Sequence, residues 1–183
     1  KALASSICIG SGGSVGREGP IIQIGSALGS SIGQIFKLSE EKTKTLVACG
    51  AAAGIAATFN SPLGGIFFAL EVILRQYGLR NFSSVVLSSV TATVISRHFL
   101  GNQPAFQIPP FDLYGISDFL YYLVFGIITA IIAWLFIKVL YKSEDLFNSI
   151  KIPEYLKPVG GGLIIGAIGL FFPQVFGVGY ETI

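Results

Sequence analysis

The sequence predicts an all-α protein built from several membrane helices. Three observations carry that reading. Hydrophobic residues make up 52% of the 183 and charged residues only 12%, with a mean hydropathy of +0.72; soluble domains usually carry about 25% charge. Apolar runs alternate with charge clusters along the chain, and the clearest approach the roughly 20 helical residues that cross a bilayer core. Glycine occurs 23 times, much of it in G-x-x-x-G spacing, which suits close packing of helices in lipid. This balance excludes a disordered chain, a nucleic-acid binder and most soluble enzymes, and a net charge of +2 is too small to imply a polyanionic partner.

The first 75 residues predict short, broken helices. Ile21 to Phe36, Thr45 to Phe59 and Leu63 to Leu74 are apolar but too short to span untilted, and Pro20 and Pro62 stand where helices can begin. Backbone breaks at membrane depth are tolerated where they are buried in protein or line a wet cavity, which is where transporters place their substrates. Gly25, Gly29 and Gly33, then Gly50 and Gly54, then Gly162 and Gly166 are predicted packing faces. Ser39, followed by Glu40 and Glu41, reads as a helix N-cap.

Longer helices are predicted afterwards at Phe82 to Leu100, Phe119 to Leu140 and Pro158 to Phe172, with Lys142 to Asp145 extending the second into water. Arg75 to Arg80 and the lysine-rich stretch Lys138 to Lys157 are predicted to be cytoplasmic, and the base-free loop Gly101 to Asp118 external. That gives a multi-pass membrane protein. The chain lacks methionine, opens on Lys1 without a signal-peptide pattern, and has no evident stop after Gly177; the expectation is an internal piece of a longer protein.

Several chemistries fail on spacing. Cys8 and Cys49 fit neither a disulfide framework nor a zinc pattern and read as buried free thiols. The single histidine and scattered acids predict no metal site, and no cofactor is expected. Gly10 to Pro20 reads GSGGSVGREGP: it lacks the Gly-Lys-Ser/Thr of a P-loop, and Val15 occupies the third glycine position of a dinucleotide loop. Ser11 and His98 form the only conceivable Ser–His dyad, an intramembrane protease reading that the position of His98 beside Arg97 at a polar loop disfavours. No catalytic residue is assigned, and a non-transporting membrane scaffold remains an alternative.

What remains is Gly16-Arg17-Glu18-Gly19-Pro20 before an apolar stretch. Free N–H groups of a first helical turn, together with the helix dipole, attract an anion, and a proline there gives up a donor that has no intrahelical partner. Glu18 is then a tethered anion at an anion site. A carboxylate in so apolar a chain is costly and points to function, although a helix-start carboxylate satisfied by its own backbone is the plainer alternative.

These residues resemble the CLC family of chloride channels and proton–chloride exchangers. Residues 16–20 match its GREGP motif, continued by Gln23-Ile24-Gly25; the stretch Gly50 to Gly65, GAAAGIAATFNSPLGG, matches a second family segment and runs on into Phe67-Phe68-Ala69-Leu70-Glu71. The resemblance covers most of the chain and is carried by helix lengths and glycine positions beyond Gln76.

It implies a chloride path with no cofactor, Glu18 as gate, and an anion site at Gly16, Arg17, Glu18, Gly19 and Pro20, where backbone amides around Arg17, Glu18 and Gly19 bind the ion. It also implies a homodimer of inverted-repeat subunits in a lipid bilayer, with helices near 63–74 and 82–100 at the interface. The whole chain is then one segment of a transport domain, pore-lining over 1–76 with further membrane helices over 82–172. The family's earlier serine motif, later G-x-F-x-P motif and pore tyrosine would lie outside this stretch, so the segment alone should not conduct. Proton-coupled members carry a second glutamate after the Glu71 position; here Val72 stands there, as in channel-type members, which favours a channel over the alternative, a proton–chloride exchanger.

Overall fold

A computed structural model describes residues 1–75, 79–103, 106 and 115–180. The described secondary structure is entirely helical: α1 (Ala2–Gly10), α2 (Glu18–Ile35), α3 (Glu40–Phe59), α4 (Pro62–Phe68) running into a π-helical turn (Ala69–Leu74), α5 (Leu79–Leu100), α6 (Ile116–Ser149), α7 (Lys157–Gly169) and a 3₁₀ turn (Pro173–Val175). The chain divides into two compact units, one of residues 1–107 with 168–183 and one of residues 108–167.

In the first unit α3 is the centre, packed against α2, α4, the π turn and α5. Its inward residues are small: Ala48, Cys49, Ala51, Ala52 and Ala56 are buried, with Ile66, Ala69, Leu70, Leu74 and Val85 filling the space around them. Such side chains bring backbones together where lipid supplies no hydrophobic drive for helix association. The predicted glycine face of α2 is used. A Cβ on Gly25 would collide with the Gly50 carbonyl oxygen, one on Gly29 with the Leu46 carbonyl oxygen, and one on Gly33 would lie 2.6 Å from Thr43 Oγ1. The contact numbers fall on α3 as they rise on α2, so the two helices are antiparallel.

Helix α5 is joined to this core by serines. Ser88 donates to the Cys49 carbonyl (3.0 Å), Ser89 to the Pro62 carbonyl (2.7 Å) and Ser96 to the Ala57 carbonyl (2.7 Å). The ends of α2 and α3 are set by residues in the left-handed region, Lys37 (φ 48°) and Asn60 (φ 53°). After each, an N–H reaches back to a carbonyl of the last turn, Leu38 to Gly33 and Ser61 to Ala56. Ser39 holds the N-cap position of α3, its carbonyl accepting from Thr43 N–H, but its hydroxyl makes no capping bond.

In the second unit α6 is a single helix of 34 residues, about 51 Å long at the usual rise. Asp118–Ser149 is apolar enough to cross a bilayer and presents no buried residue. Lys138 Nζ lies 4.8 Å from the Trp134 ring centroid, so the charge inside the run rests on an aromatic face. The predicted extension through Lys142 to Asp145 is helical.

Three expectations need correction. α2 begins at Glu18 rather than at Pro20, leaving residues 11–17 as the break; proline disfavours helical backbone in the residue before it mainly through that residue's Cβ and N–H, and Gly19 has no Cβ. Cys8 is exposed, because α1 carries no buried residue, while Cys49 is buried; both are free thiols. Nothing lies within 4 Å of a Cβ built on Gly162 or Gly166, so that pair packs against nothing among the described residues. Glu71 and Val72 lie in the π turn and both are exposed. Residues 76–78 and most of the predicted external loop 101–118 lie outside the described residues.

Candidate functional site

The break between α1 and α2 places Glu18 in the first helical position. Its carboxylate folds back across the helix start. Oε2 lies where a Cβ on Gly16 would be, so glycine at 16 leaves room for it. The second carboxylate oxygen, Oε1, accepts a hydrogen bond from the hydroxyl of Tyr180.

Arg17 meets the same tyrosine on its ring. Its guanidinium carbon sits 4.9 Å from the Tyr180 ring centroid and 5.6 Å from that of Phe59, and its Nε is buried without a hydrogen-bond partner. Two aromatic faces take the place of that partner in holding the charge. The Tyr180 ring also meets Phe106 edge-on at 5.4 Å and Phe59 at 6.3 Å between centroids. Gly19 is exposed, with open space beside its Cα, and Pro20 contributes no N–H. Of residues 16–20, therefore, Gly16 and Glu18 share one small volume, Gly19 faces outward and Arg17 belongs to an aromatic cluster.

A cavity of about 650 Å³ borders this cluster, lined by Arg17, Gln174, Phe176 and Tyr180 among others. A larger cavity of about 800 Å³ is an open apolar trough lined by residues of α2, α3 and α5, and Glu18 is not part of it. Ser11 and His98 make no dyad: the Ser11 hydroxyl donates to the Cys8 carbonyl at 3.1 Å, and the His98 ring packs edge-on against Phe99. No group of three or more metal-ligating side chains occurs among the described residues.

Sequence reasoning missed Tyr180. The available signal was Gly177-Val178-Gly179-Tyr180, where both glycines adopt positive φ (76° and 75°) and turn the chain just before the phenol.

A sequence model of the family described as voltage gated chloride channel matches residues 1–183. The chain belongs to that family. Among curated relatives, a putative chloride channel protein ClcB-like from Ralstonia nicotianae is 34% identical over 98% of this chain and 43% of its own length. Chloride channel protein CLC-e of Arabidopsis thaliana is 32% identical over 100% and 28%. The H(+)/Cl(-) exchange transporter ClcA of Salmonella arizonae is 34% identical over 96% and 38%. The crystal structure of a slow cyanobacterial Cl-/H+ antiporter superposes with a TM-score of 0.78 at 29% identity, covering 94% of this chain and 41% of that one. The chain thus spans less than half the length of these relatives. As a member of the family it is an all-helical, polytopic integral membrane protein, and the exposure of α6 to its surroundings fits lipid as the solvent.

Proposed function

We propose that this chain contributes the gate and part of the anion site of a CLC-type chloride path, and carries no catalytic chemistry. One observation supports it above all: Glu18 opens α2 with its carboxylate turned back beside Gly16, at a helix start where free N–H groups and the dipole attract an anion. A chloride ion and this carboxylate compete for the same donors. Protonation removes the charge that holds the side chain there and leaves the amides around Gly16 to Pro20 to the ion. The names of the relatives, chloride channels and H+/Cl- exchangers, agree in the transported anion.

The test is chloride flux against pH in liposomes carrying the full-length protein. Glu18→Gln and Glu18→Ala are expected to conduct at neutral pH as the native protein does at low pH, with a flat profile. Native pH dependence in both variants would remove Glu18 from the gate.

Two further parts of the reading are proposals of the same kind. The working assembly is a homodimer joined through the helices near 63–74 and 82–100, which leave Leu63, Phe67, Leu87 and Val94 exposed. Transport is passive, since Val72 offers no proton-binding group at the coupling position. The alternative is proton–chloride exchange, the activity for which two similar proteins, an exchange transporter and an antiporter, are named.

A further inference from the structure

The phenol that reaches Glu18 is 162 residues away in sequence and arrives on a shaped strap. After α7 the chain passes through the 3₁₀ turn to Phe176. The Phe176 ring fills the space that side chains at Gly12 and Gly169 would need: a Cβ on Gly12 would sit 3.3 Å from its Cδ1, and one on Gly169 would overlap the ring. Phe176 therefore fixes the strap against the same loop that ends in Glu18. Gly177 and Gly179 then turn the backbone and present Tyr180. Its ring is held by Phe59 from the end of α3, by Phe106 and by the Arg17 guanidinium.

We propose that Tyr180 is a latch for the gate: its hydroxyl, positioned by the Phe176 strap and the Arg17–Phe59–Phe106 cluster, holds the Glu18 carboxylate at the helix start and sets how readily it leaves. The inference rests on the reading of Glu18 as gate and adds the group that restrains it. A phenol is suited to the task. It donates to an ionised carboxylate and, being neutral, does not bind chloride as a lysine or arginine would. Its ring stays in the aromatic cluster whether or not the bond is made, so the latch resets without rebuilding the site. Among the described residues, the charged and titratable groups facing Glu18 are Arg17, on the preceding loop, and Tyr180 itself; the other cluster members, Phe59 and Phe106, do not titrate.

The experiment uses full-length protein in liposomes and the Tyr180→Phe variant, which keeps the ring and its contacts and removes only the hydroxyl. Loss of a hydrogen bond to a charged acceptor is expected to shift the balance between latched and released carboxylate about tenfold. Flux at neutral pH then rises, and half-activation occurs at about one-tenth of the native proton concentration. In a Glu18→Gln background the same change is expected to have no effect, because the charge it acts on is gone. A native pH profile for Tyr180→Phe, beside a flat one for Glu18→Gln, would overturn the latch and leave the gate standing. A native profile for Glu18→Gln would overturn the gate and the latch together. A Tyr180→Phe effect that persists in the Glu18→Gln background, or a shift in the opposite direction, would show that Tyr180 does not act through Glu18.

Discussion

Gly25 and Gly50 face each other across the α2–α3 contact, and each leaves the space that the other's carbonyl oxygen fills. The relationship is reciprocal and involves backbone on both sides, so neither partner can yield by a change of rotamer. This contact sits about two turns after Glu18 and therefore sets the height and direction of the helix that carries the gate.

Gly25→Ala and Gly50→Ala are each expected to destabilise the full-length protein by about 1–3 kcal/mol, the usual cost of overpacking a tight contact. Gly126→Ala is the counterpart: its added methyl meets nothing within 4 Å, and alanine is the better helix former by up to about 1 kcal/mol. Thermal unfolding of the three variants in detergent should separate them, with lower midpoints for the first two and a native or higher one for the third.

Asn60 closes α3 in the left-handed region and joins it to the end of α5. Its side-chain Oδ1 accepts from Arg97 Nε–H at 2.6 Å, and its side-chain Nδ2 donates to Asn102 Oδ1 at 2.9 Å and to the Gln103 carbonyl at 3.2 Å. Asn60→Ala loses these bonds and strains the backbone by about 1–2 kcal/mol. Asn60→Gly loses the bonds but not the backbone conformation. The expected order of thermal stability is native, then glycine, then alanine; equal stability of the two variants would show that the left-handed turn costs nothing here.

The proposed dimer is open to cross-linking. With Cys8 and Cys49 replaced, single cysteines at Leu63, Phe67, Leu87 or Val94 in the full-length protein should give disulfide-linked dimers under mild oxidation at one or more positions. Only monomers at all four would remove these two helices from the interface.

Coupling is tested by an imposed chloride gradient across liposomes. Val72 cannot bind a proton, and the expected result is chloride movement without uphill proton movement. Glu71 is exposed next to it on a wide turn, so the arrangement does not hide a carboxylate from water. Proton uptake driven by the gradient at a fixed ratio would establish exchange and show that the chain relays protons by another group.

The sequence by itself determined the helices, a break ahead of α2 to within about two residues, and the small-residue faces of α2 and α3. Each is a local property: apolar length, glycine and proline placement, and spacing along one helix are legible without knowing what lies opposite. It also carried the family, because GREGP and the 50–65 stretch are contiguous. The rest depended on contacts between distant segments. That Gly25 meets Gly50, that the α5 serines bond to carbonyls of α3 and α4, and that Gly162 and Gly166 meet nothing among the described residues are facts about partners, which periodicity cannot name. Tyr180 is the sharpest case. Its neighbours in sequence indicate a turn, and only the tertiary fold brings its hydroxyl to Glu18, since a hydrogen bond is decided by distance and direction in space and not by separation along the chain.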